Sequence, residues 1–173
     1  MTAADPQRAR VYEAEAVLAR MIDRRDAFPV ASAFGSRIVV PDDRKFGDIA
    51  SVQRYVDAVL ALSWLRAAFP RAGEPAFVRA RAGATKAEYD EQARTIAVPT
   101  HRVGGRWAMR ELVVLHEVAH HLTPGEGHGP PFVAALLELV ENLVGAEAGF
   151  LLRSALLDTG VTTSATDDAA RPG

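Results

Sequence analysis

Five consecutive residues, His116-Glu117-Val118-Ala119-His120, combine side chains that can hold a metal ion with one that can move a proton. On a helix, residues four apart stand about 40° from each other around the axis, one turn above the other on one face. Two imidazoles so placed can grip one cation. Glu117 lies beside the first of them and can take a proton from a water held on that cation. The chemistry this allows is metal-assisted hydrolysis. Zinc suits such a site because it accepts imidazole nitrogen and keeps a fourth position open when three protein ligands bind. It lowers the pKa of a water in that position from about 15.7 towards 7, so the carboxylate removes a proton already half released. The flanking residues Leu112, Val113, Val114, Leu115, Val118 and Ala119 are apolar, as for a buried helix with one polar face. The blander reading is a solvent-facing His/Glu cluster on an ordinary helix. So apolar a setting argues against it, because buried polar groups need partners.

An open hydrolytic site needs a third ligand, and three candidates follow. His128 sits in Gly127-His128-Gly129-Pro130-Pro131-Phe132, where flanking glycines allow the chain to turn back. Glu138 and Glu141 lie in the next apolar segment and would complete a His-His-Glu site, or would be surface or supporting groups. His121 points about 100° away from His120 around the helix and is a poor ligand. His128 is the preferred third ligand. Other residues have weaker claims. His101 reads as a loop histidine or a substrate contact, and Tyr89 as strand packing or an oxyanion donor. Arg79, Arg81 and Arg94 read as a solvated sheet face, and Trp107 as core at the start of the motif helix.

Composition removes several classes. There is no cysteine, which excludes disulfide frameworks, thiolate zinc sites, iron–sulfur clusters and cysteine nucleophiles. A net charge of −2 lacks the basic excess of a dedicated nucleic-acid binder, so no nucleic-acid partner is expected. The chain has 173 residues, of which 49% are hydrophobic, the profile of one globular domain able to bury its own core. No signal peptide or membrane span is visible, so a cytoplasmic protein with no membrane partner is expected.

The elements that must position the site follow from spacing. Asp5-Pro6 reads as a helix start, with Asp5 as the cap, for a helix over 6–25. A second helix is predicted over 48–68, the motif helix over 106–122, and one long helix over 130–157. Strands are predicted at 37–40, 76–82, 88–89 and 94–99. The order is helices, a small strand cluster and further helices, which is α+β. One domain is expected over 1–158, and a disordered tail over 159–173, where Thr, Ser, Asp, Ala, Pro and Gly dominate.

The segment His116–Phe132, HEVAHHLTPGEGHGPPF, resembles the SprT-like and related zincin metalloproteases, which carry H-E-x-x-H and a downstream H-G-x-x-F/W. It resembles more closely a family of small bacterial proteins classed as metallohydrolases. The opening Val11-Tyr12-Glu13-Ala14-Glu15 and the H-G-P-P-F corner also fit that family. The resemblance implies a zincin-like fold: a small antiparallel sheet with the active-site helix beneath its edge strand. It implies His116, His120 and His128 as metal ligands and Glu117 as catalytic acid/base. Only seven residues separate His120 from His128, and the zinc ribbon and basic region of many SprT-like proteins are missing, so a role on DNA does not carry over. The expected function is a zinc-dependent peptidase acting on a peptide or protein, with the substrate lying along 94–99 as an edge strand. The alternative is a non-catalytic metal-binding regulatory or interaction module. No feature indicates an oligomeric state.

Overall fold

The computed structural model describes residues 4–83, 85–100 and 109–163. In chain order its elements are α1 (Arg8–Asp23), β1 (Val30–Ala33), β2 (Ser36–Val39), α2 (Ile49–Leu60), α3 (Ser63–Ala68), a 3-10 turn (Pro70–Gly73), β3 (Phe77–Ala80), β4 (Glu88–Asp90), β5 (Thr95–Val98), α4 (Glu111–Leu122), α5 (Pro130–Leu143) and α6 (Ala146–Asp158). The class is mixed α+β, as expected. The chain gathers into two compact units, Arg44–Pro124 and Met1–Asp43 with Gly125–Gly173, which are described in turn.

In the unit Arg44–Pro124, α2 begins with a reciprocal cap. The Asp48 carboxylate accepts the Ser51 N–H at 2.7 Å, and the Asp48 N–H reaches Ser51 Oγ at 3.3 Å. Val52, Val56 and Val59 then recur on one buried face. The helix predicted over 48–68 is two helices. Leu62 takes extended backbone, φ −63° and ψ 128°, and α3 starts afresh at Ser63. Arg66 compensates by donating from Nε to the Leu60 carbonyl left free at the break, at 2.8 Å.

The sheet of this unit has the order β3-β5-β4. It is mixed, which corrects the expected antiparallel sheet: β3 runs parallel to β5 and only β4 runs antiparallel to it. β5 is therefore the central strand and not an edge, which corrects the expected substrate-binding strand. Ile96, Ala97 and Val98 are all buried, as a strand covered on both faces requires. One outer edge is already closed. Gln53 on α2 accepts the Val78 N–H at 2.7 Å and donates to the Ala76 carbonyl at 2.9 Å, standing in for a neighbouring strand. Among the described residues no strand pairs on the outer edge of β4. α4 packs against β4, β5, α2 and the 3-10 turn.

In the other unit α1 and α5 both pack on α6, and the β1–β2 hairpin lies against α6. β1 is a strand that hydrophobic alternation did not reveal. It turns into β2 through Phe34 and Gly35, both with positive φ, as a two-residue hairpin demands. The single helix expected over 130–157 is broken at Gly145, whose φ of 142° and ψ of 161° suit glycine alone. The pair α5–α6 then packs closely. A Cβ on Gly149 would stand 2.8 Å from the Glu141 Cβ.

Order continues past 158. Val161 is buried, and the Thr162 N–H donates to Gln7 Oε1 at 2.5 Å. The rest of the expected tail, from 164 on, lies outside the described residues. Among the described residues no helix is long and apolar enough to cross a membrane.

Candidate metal centre

The motif helix α4 is fixed at its start by a short antiparallel bridge. The Phe46 N–H donates to the Met109 carbonyl at 2.8 Å, Lys45 pairs with Arg110, and the Glu111 N–H donates to the Arg44 carbonyl at 2.8 Å. The helix therefore starts at Glu111 rather than at 106, and the expected positions of His101 and Trp107 lie outside the described residues. Glu111 is buried in the first turn, where the helix dipole favours an anion. Its carboxylate accepts the Tyr55 hydroxyl at 2.6 Å and the Arg44 N–H at 3.0 Å. No motif pointed to this anchor. Its signal was an acidic residue at the start of an otherwise apolar helix.

α4 places His116 and His120 one turn apart, with ring centroids 4.9 Å from each other. His116 and Glu117 are buried and His120 is half-buried. His128, also buried, comes from the loop that follows α4. One potential ligand atom from each of His116, His120 and His128 lies within 4.8 Å of the other two, close enough for the three to hold one metal ion. Glu138 and Glu141 are exposed on α5 and do not belong to this group.

The loop carrying His128 uses Gly127 in the left-handed region, φ 54°, and Gly129 precedes Pro130 at the first position of α5. His128 is held by residues that sequence reasoning gave other work. Its Nδ1 stands 2.6 Å from Asp5 Oδ2. Asp5 is thus not the side-chain cap of α1. The capping position is Gln7, which makes no side-chain cap bond there. Instead the Gln7 Nε2 donates to the His128 carbonyl at 3.1 Å. The imidazole lies against Tyr12 at 5.3 Å and Phe132 at 4.8 Å between ring centroids.

His121 is turned elsewhere, as its angle around the helix predicts. Its Nε2 lies 3.1 Å from both the Arg71 and Glu74 carbonyls, so that nitrogen carries the proton. Its Nδ1 then accepts the Tyr89 hydroxyl at 2.8 Å. Tyr89 is committed to this bond rather than presented as an oxyanion donor. Burial, with help from the Arg71 charge, holds the His121 pKa below its ordinary value of 6.5. The unfolded chain therefore binds this proton at a higher pH than the folded one. His121 contributes stability that is fully present above pH about 6.5 and is lost as pH falls through the folded pKa. In chelator, His121→Gln is expected to lose part of the acid-side decline in stability seen in the wild type, read as denaturation midpoint against pH. Parallel curves for the two proteins would contradict this.

The arginines of the sheet are engaged locally. Arg81 pairs with Glu88 at 2.6 Å and Arg94 with Glu74 at 3.1 Å, while Arg79 donates to the neighbouring Ala80 carbonyl at 3.2 Å. No protein-family model matches the chain, and no characterised protein or solved structure matches it either.

Proposed function

We propose that the chain is a zinc-dependent hydrolase, specifically a peptidase. The observation that carries this is the convergence of His116, His120 and His128, with the buried carboxylic residue Glu117 next in sequence to the first of them. The donor set fits zinc. Three imidazoles without a thiolate are the ligand set of an open catalytic site rather than a closed structural one. Bound there, zinc would supply Lewis acidity, polarising a carbonyl and acidifying water.

The chain's own residues do the rest. Glu117 accepts the proton of the attacking water and returns it to the leaving amine. His128 keeps its ring orientation through Asp5. The outer edge of β4, against which α4 packs, offers backbone groups along which an extended peptide can add as a strand. That edge replaces the one first expected at 94–99.

The test is metal content by elemental analysis of wild type and His128→Ala, side by side in metal-free buffers. About one zinc per chain is expected in the wild type and much less in the variant. Equal zinc in both would remove His128 from the ligand set. No zinc in the wild type, even when offered at neutral pH, would remove the hydrolase reading altogether.

A further inference from the structure

We propose that Asp5 is a positioning residue of the metal centre, and that the segment 5–7 ahead of α1 is a built part of that centre. The proposal rests on the metal reading above.

A histidine ligand has two nitrogens, and whichever one is bonded elsewhere decides which faces the metal. In His128 the bonded one is Nδ1, 2.6 Å from Asp5 Oδ2. The proposal assigns the other ring nitrogen, Nε2, to a metal shared with His116 and His120. The carboxylate favours a proton on Nδ1, fixes the ring, and makes Nε2 a stronger donor to the cation.

Three further features show that the arrangement is held from several sides. The His128 side chain is 5% exposed and that of Asp5 27%, so the pair is largely shielded from water. Gln7 donates to the His128 carbonyl and accepts the Thr162 N–H, so the main chain of the ligand is latched by the same segment that orients its ring. Finally, a Cβ on Gly127 would stand 3.1 Å from Asp5 Oδ2, so the loop approaches the carboxylate more closely than a side chain there would normally allow. A surface ion pair would need none of this.

The experiment measures zinc affinity by chelator competition on the full chain as wild type, Asp5→Asn and Asp5→Ala. It adds the visible spectrum of the cobalt-substituted proteins and the thermal midpoint of each metal-free protein. Asp5→Ala is expected to weaken zinc about 10–100-fold. Asp5→Asn, which keeps an acceptor but loses the charge, is expected to fall between it and the wild type. The cobalt bands are expected to shift in both variants. If metal-free Asp5→Ala does not fold, the near-isosteric Asp5→Asn decides alone.

Unchanged zinc affinity and unchanged cobalt bands in folded variants would overturn the role of Asp5 and leave the three-histidine reading standing. A wild type that binds no zinc would overturn both. Because no peptide turnover is read, failure to find a substrate does not touch the result.

Discussion

Glu117→Gln is expected to keep about one zinc per chain and to lose about 10²–10⁴-fold in peptide hydrolysis. The substitution leaves His116, His120 and His128 untouched, so the proposed ligand set is intact. Glutamine has nearly the volume of glutamate and can occupy the same buried place on α4. What it lacks is a basic oxygen. It can neither take a proton from water nor hand one to a departing amine, and the rate loss corresponds to about 3–5 kcal/mol of transition-state stabilisation. The measurement pairs elemental analysis with turnover of a peptide selected from a library screen. Hydrolysis that survives in the zinc-loaded variant would mean that Glu117 is not the base. A variant that loses zinc as well would mean that Glu117 supports the ligands, and a non-catalytic metal module would then explain the cluster better.

The three-histidine cluster was legible as far as helix geometry reaches. Residues four apart on α4 must share a face, and the apolar neighbours of His116 and His120 require that face to be inside. His128 was legible from its glycines and its short distance along the chain. Asp5 was not. It lies 123 positions from His128, and its local sequence offered a competing use, since Asp-Pro is a common way to begin a helix. Local rules report what a residue can do for its neighbours, and Asp5 is bonded to a residue far along the chain. Gln7 and Glu111 were missed for the same reason. Each makes bonds to distant residues, and nothing periodic marks them.

The fold shows a similar division. Helical periodicity located the helical segments but not the two breaks within them. At Leu62 the chain turns without glycine or proline, and the apolar pattern runs on through it. At Gly145 the glycine was present, yet one glycine in a strongly apolar run is compatible with a continuous helix at a cost of about 1 kcal/mol. Strand order was the least legible feature. The unbroken apolar run Ile96-Ala97-Val98 carried the sign of a central strand, because a strand with one solvated face would alternate. The parallel pairing of β3 with β5 is set by the path of the chain between them, on which strand composition is silent.

Phe132→Ala is expected to cost about 3–5 kcal/mol of stability, because the whole ring is lost from a fully buried position. In a chain of this size that lowers the thermal midpoint by something on the order of 10 °C. Phe132→Leu keeps most of the volume and is expected to cost less than about 1.5 kcal/mol. The site is affected too. The Phe132 ring stands 4.8 Å from that of His128 and meets it nearly edge-on, so its removal frees one flank of this proposed ligand while its contacts with Asp5 and Tyr12 remain. The two effects separate through zinc. A ligand that binds only the folded state at 100 times its Kd stabilises that state by about 2.7 kcal/mol. Zinc should therefore raise the midpoint of the wild type and of Phe132→Leu by similar amounts, and that of Phe132→Ala by less. An equal rise in all three would show that Phe132 serves the core alone and that Asp5 suffices to aim His128. A diminished rise confined to the alanine variant would show that the imidazole needs both its hydrogen bond and its packing to stay directed at the metal.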